Sequence, residues 1–246
     1  KQVSELAKQK KEKDAVVSKL KTQEKDLQKQ INAKKKRDRE LQNSINTIVK
    51  REIEASRKEA EKRAAAEKKN AATNPAVSPV TNPSTSATTS RIKTTTTKPT
   101  VVFNSDADIK LNTGFEGNRG KLPWPVDNGY VSIHFGAYNI EGTLLKGDNP
   151  GITIATQTGN TVKSVFKGEV VGVYNLGDGM AVTVRHGKYF TTYSNLTGVA
   201  VSKGASVETG QSLGRAGKAD DGTGGQIDFI LMIETRNVNP EPWLRK

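Results

Sequence analysis

The chain has 246 residues, with 39 Lys+Arg against 26 Asp+Glu for a net charge of +13, two His and no Cys. Without Cys, and with His134 and His186 far apart, no His/Cys metal-ligand spacing exists. No apolar run approaches the roughly 18 residues that span a bilayer as a helix. The basic excess is uneven: residues 1–69 hold 22 Lys+Arg against 12 Asp+Glu and contain no Gly, Pro or aromatic residue. Only the remainder can build an ordinary core.

From Val3 the apolar positions step by three and four through Leu6, Val17, Leu20, Leu27, Ile31, Leu41, Ile45, Ile48 and Ala55. The same register passes through polar Lys10, Lys13, Glu24, Lys34, Asp38 and Glu52. This pattern predicts a weak coiled-coil helix over 1–69 that needs a partner helix, from an identical chain or another protein. Its basic residues alternate with acids and lack aromatic stacking partners, so they form a solvated face and not a nucleic-acid surface. The heptads begin at Lys1 without a Met, the mark of a processed or truncated piece of a longer chain.

Residues 70–102 are rich in Thr, Pro, Ser and Asn. Such a stretch cannot bury enough apolar surface to offset its ordering entropy, and reads as a disordered linker. Residues 103–120 mix Ile109, Leu111 and Phe115 with polar residues, which predicts a short docking helix capped by Asn104 or Ser105. The spacing supports docking on the β domain, and in a regulator that helix could also cover a binding groove.

From Lys121 the period becomes two, with turn punctuation. Strands are expected at 131–135, 161–165, 168–174, 180–186, 189–193 and 226–233, with turns at Asp178-Gly179 and His186-Gly187. Gly204, Gly210 and Gly214 punctuate short strands between them. The expected fold is a mainly antiparallel β domain over 121–246, with both His structural.

Three stretches of that domain are informative: Asn149-Pro-Gly-Ile-Thr153, Tyr189-Phe-Thr-Thr-Tyr-Ser-Asn195-Leu196 and Thr223-Gly-Gly-Gln226-Ile-Asp228-Phe229. They resemble the motifs of LytM/lysostaphin-type zinc endopeptidases, which read His-x-x-x-Asp, His before Leu, and His-x-His before Phe. The flanks Gly120-Lys-Leu-Pro-Trp-Pro-Val126 and Asn239-Pro-Glu-Pro-Trp243-Leu244 match that domain's boundaries. Only Asp228 stands at a ligand position here, and such enzymes need about three protein ligands. The resemblance therefore implies no catalytic residue, no metal and no cofactor.

With the heptads and linker, the whole resembles murein hydrolase activators of the EnvC type, although one coiled-coil helix is legible where that family has an antiparallel pair. The resemblance implies a non-enzymatic activator of peptidoglycan amidases in the periplasm or cell envelope, serving wall remodelling and daughter-cell separation. It places Asn149, Thr153, Lys163, Tyr193, Asn195, Gln226 and Asp228 in or near a partner-binding groove. Two rival readings are an atypical zinc endopeptidase built on Asp228 with His134, and a scaffold that binds peptidoglycan directly.

Overall fold

The computed structural model describes residues 2–71, 105–140, 146–220 and 222–246. It divides into two compact units, one ending at Thr47 and one beginning at Ile48. A single helix, α1, runs Gln2–Ala71. Ala, Leu, Lys, Glu, Gln and Arg dominate it, and these residues lose little side-chain freedom in a helix. Leu41, Ile45 and Val49 are buried, four residues apart on one face, whereas Ile48 of the expected seam is only partly covered. Val16, Val17 and Leu20 are about half exposed or more. Most of the expected linker, and residues 141–145, lie outside the described residues.

Helix α2 spans Asp106–Gly117. Ser105 caps it, accepting from the Asp108 amide and donating through its own hydroxyl to the Asp108 carboxylate. A short 3-10 helix at Glu241–Trp243 ends the fold, and the other described elements are antiparallel strands: β1 Tyr130–Ile133, β2 Gly136–Asn139, β3 Lys146–Asn149, β4 Ile152–Thr156, β5 Thr161–Lys163, β6 Gly168–Asn175, β7 Met180–His186, β8 Tyr189–Thr197, β9 Ser206–Val207, β10 Ser212–Lys218, β11 Gly225–Ile233 and β12 Arg236–Val238. The main sheet runs β1-β4-β11-β10-β8-β7-β6-β9, with β12 on β11, β5 on β10, and a direct β11–β8 pairing. β2 and β3 form a separate hairpin.

Register assigns the faces. Ile154 pairs Ile227, Ile152 pairs Phe229 and Phe229 pairs Tyr193, and all of these are buried in the core. On the opposite face Thr153, Asp228 and Ser194 pair in one row, and Tyr130, Ala155 and Gln226 in the next. Gly151, just before β4, lies close against β11: a Cβ there would come 2.1 Å from the Phe229 carbonyl oxygen.

α2 docks at the β7–β8 turn. Phe115 is fully buried, stacked on Tyr189 at 4.5 Å and His186 at 5.2 Å, and meets Phe166 edge-on at 5.4 Å. Asn112 accepts from the Lys188 amide at 2.7 Å, and buried Asp108 pairs with Arg185 at 3.5 Å. From Tyr189 to the Ser194–Asp228 pair is five residues of β8, about 17 Å at strand rise. α2 sits at the far end of β8 from Ser194 and Asp228, away from the motif positions. Aromatic burial against the turn, not the motif residues, determines its place.

His186 is structural, as expected, but it is a core residue and not a turn residue. Its Nδ1–H donates to the Lys167 carbonyl at 2.7 Å, which leaves Nε2 to accept from Thr191 Oγ1 at 2.8 Å. Complete burial pushes its pKa down to about 4, and the Lys167 bond offsets only part of that effect. The turn itself uses Gly187, at φ 73°.

Candidate functional site

Three of the emptied positions meet. Thr153 Oγ1 donates to Asp228 Oδ1 at 2.7 Å and lies 3.4 Å from Asn149 Nδ2, which also donates to the Ile133 carbonyl at 3.2 Å. Asn149 Oδ1 in turn accepts from the Gly151 amide at 3.3 Å. Asn149 and Thr153 are buried, whereas Asp228 is partly exposed. An amide, a hydroxyl and a carboxylate therefore bind one another across β3, β4 and β11. That donor set does not fit catalytic zinc, which takes about three nitrogen, sulfur or carboxylate ligands. Among the described residues no group of three His, Cys, Asp or Glu is placed to hold a metal ion.

Asn195 has a different task. β8 and β11 pair up to Ser194–Asp228 and then separate, and β10 enters the fork, pairing Leu196 on one side and Gln226 on the other. Asn195 sits at the fork with φ 58°, a left-handed conformation that Asn tolerates better than most residues. Its Nδ2 donates to the carbonyls of Lys218 and Gln226, both at 2.9 Å. From β8, the side chain thus ties β10 and β11 together. Gln226 brings its half-exposed side chain to the groove face, with Oε1 3.5 Å from the Asp220 amide.

Lys163 and Tyr193 stand apart from this cluster. Lys163 Nζ binds both oxygens of Asp127, at 2.8 and 2.7 Å. Tyr193 corrects the expected groove: it is fully buried, its ring 5.3 Å from Phe229, and its hydroxyl accepts from the Val165 amide at 2.9 Å. Burial raises its phenol pKa. Period two explains the difference, since Ser194 faces the groove with Asp228 and Tyr193 must face the core.

His134 is exposed and bound through Nδ1 to Glu241 at 3.0 Å, while Asp228 is held by Thr153. The pairing of His134 with Asp228 that a zinc endopeptidase would need is not formed. Sequence reading missed Tyr130, which shares a row with Gln226. Its signal is cross-strand, through Ala155, and no spacing along the chain records it.

An antiparallel sheet carrying three linked motifs at the β3–β4 crossing and along β8 and β11 defines a LytM-type domain, and residues 147–240 match the model of peptidase family M23. The chain is similar to murein hydrolase activator EnvC of Escherichia coli K12, 30% identical over 155 residues that cover 62% of this chain and 35% of EnvC. It is 32% identical over 149 residues to the uncharacterized protein NMB1333 of Neisseria meningitidis serogroup B, covering 60% of this chain and 23% of that protein. The chain thus spans about a third and a quarter of the lengths of these relatives. Lysostaphin from Staphylococcus simulans aligns with a TM-score of 0.43 at 24% identity, over 51% of this chain and 53% of its own.

Proposed function

We propose that this chain is a non-enzymatic activator of peptidoglycan amidases, working outside the cytoplasmic membrane in wall remodelling and daughter-cell separation. One observation carries the reading: the positions of an M23 domain that would hold metal are occupied by Asn149, Thr153 and Asp228, bonded to one another. Such a site keeps the sheet geometry of the peptidase while its side chains offer no ligand set. What it presents outward is a polar face with Asp228 and Gln226 partly exposed. Asn149 and Thr153 support that face from below, and Asn195 holds its fork open.

Activation follows from differential binding. A surface that fits the amidase better in its open conformation shifts the population toward that conformation. Shifting a two-state equilibrium from 1:99 to 99:1 takes about 5.5 kcal/mol of differential affinity, within reach of a standard protein interface. The half-exposed Val16, Val17 and Leu20 of α1 suit a partner helix that tethers the module.

The test is dye release from labelled sacculi by a cognate amidase, with and without the full chain. Stimulation by the chain, its loss in Gln226→Arg with unchanged melting, and no release by the chain alone are expected. Absence of stimulation would sink the reading. Release by the chain alone, dependent on added zinc, would revive the endopeptidase alternative.

A further inference from the structure

The groove face continues past Gln226 and Ala155 to Tyr130, a residue 69% exposed. Beside it lies an open hollow of about 440 Å³, lined by Asp127, Asn128, Tyr130, Ala155, Thr156 and Gln157 among others. We propose that this hollow is a binding subsite for a neutral saccharide unit, the repeating sugar of a wall glycan. The identity of the glycan rests on the wall-directed function proposed above. The saccharide chemistry rests on the hollow alone.

Its walls are held in place before any ligand arrives. Gly129 brings the 127–130 loop against β4 so closely that a Cβ would lie 2.9 Å from the Ala155 carbonyl, Ile154 Cγ2 and Val126 Cγ2. The Thr156 hydroxyl donates to the Asn128 carbonyl, and Asn160 Nδ2 donates to Thr156 Oγ1 at 2.8 Å. Lys163 fixes the Asp127 carboxylate through both oxygens. A rigid wall lowers the ordering cost that a weak ligand must overcome.

The groups that remain available select the ligand class. Among the described residues, the side-chain amides of Asn128 and Gln157 have no hydrogen-bond partner, and each offers two donors and an acceptor. The exposed Tyr130 face supplies an apolar platform with a polar tip. An aromatic platform beside uncharged donor and acceptor pairs matches a pyranose ring, with its C–H face and its hydroxyl or acetamido edge. An anion is disfavoured, because the cation at the rim, Lys163, is already engaged by Asp127. The volume falls in the range of roughly 300–1,000 Å³ usual for small-ligand sites. A partner helix, about 10 Å across with its side chains, needs a longer trough.

The probe is the β-1,4-linked tetramer of N-acetylglucosamine, titrated into the full chain and followed by saturation-transfer NMR and calorimetry. Binding at millimolar or better affinity is expected. Tyr130→Ala should lose about tenfold in affinity, while Tyr130→Phe, which keeps the ring, should stay within about twofold. The joint Asn128→Ala and Gln157→Ala variant should lose as much as Tyr130→Ala. All these side chains are exposed, so a melting curve matching the parent confirms that the fold is intact. No binding at about 10 mM tetramer, or equal binding by Tyr130→Ala, overturns the proposal. Amidase stimulation is measured in parallel. Saccharide binding without stimulation would sink the activator reading and leave the subsite standing. Loss of stimulation in Tyr130→Ala with no saccharide binding by the parent would give the hollow to a protein partner, overturning the subsite.

Discussion

Replacing Thr153 by Val tests whether the linked side chains at the emptied site act as a cross-brace in place of a metal. Val has nearly the shape of Thr, so no cavity opens and the change is confined to the hydroxyl. That hydroxyl donates to Asp228 at 2.7 Å, and a hydrogen bond to a charged group contributes about 1.5–3 kcal/mol. The Asn149 contact is long at 3.4 Å, and Asn149 keeps the Ile133 carbonyl, so its loss adds little. Asp228 is partly exposed, and water recovers part of the lost bond. The expected cost is about 2 kcal/mol, or roughly 5 °C in Tm for a domain of this size. Both Trp, at 124 and 243, lie outside α1, so tryptophan fluorescence follows the β domain without interference from the helix. Combining the change with Asp228→Asn in a double-mutant cycle should give a coupling of about 1 kcal/mol. A Tm within about 1 °C of the parent, or additive single effects, would refute the cross-brace and leave these positions as drifted polar residues.

Three further perturbations probe the frame around the site. His186 has a folded pKa of about 4 against an ordinary 6.5, so its contribution is complete above pH 6.5 and is lost as the pH falls toward 4. At roughly 1.4 kcal/mol per pH unit this amounts to about 3 kcal/mol. The urea midpoint of the parent should therefore fall more steeply over that window than that of His186→Gln, and parallel curves would contradict the assignment. Gly151→Ala would drive a Cβ into the Phe229 carbonyl and to 2.8 Å from Ile230 Cα; backbone cannot yield as a side chain does, and a loss of at least about 3 kcal/mol is expected, read as soluble yield and fluorescence melting. Phe115→Ala empties the centre of the aromatic stack on Tyr189 and His186, at a cost of about 3–5 kcal/mol. Amide exchange should then show α2 unprotected, while the β4–β11–β8 core stays slow.

The main features of the fold were legible because they rest on local physics. A helix-forming composition without Gly or Pro makes α1, the Ser105 cap starts α2, and period-two patterning marks β6, β7, β8 and β11. The strands β2, β3, β4 and β12 were not legible. Lys146-Gly-Asp-Asn149 reads as a turn, and becomes a strand because Gly136–Asn139 pairs with it. The emptied site divides the same way. That Asn149, Thr153, Asn195 and Gln226 supply no usual zinc ligand follows from residue type alone.

What those residues do instead was decided only by tertiary structure. A spacing along one chain does not say which strand lies opposite. Only pairing turns Thr153 toward Asp228, sets Asn195 at the fork of β8 and β11, buries Tyr193 with Phe229, and carries the groove face across Ala155 to Tyr130. Alternation makes these assignments all or none: a shift of one residue would exchange the core and groove faces. Register is set by contacts between residues far apart in the chain. The sequence determined which ligand types are missing from these motifs, and the sheet decided which side chains stand together there instead.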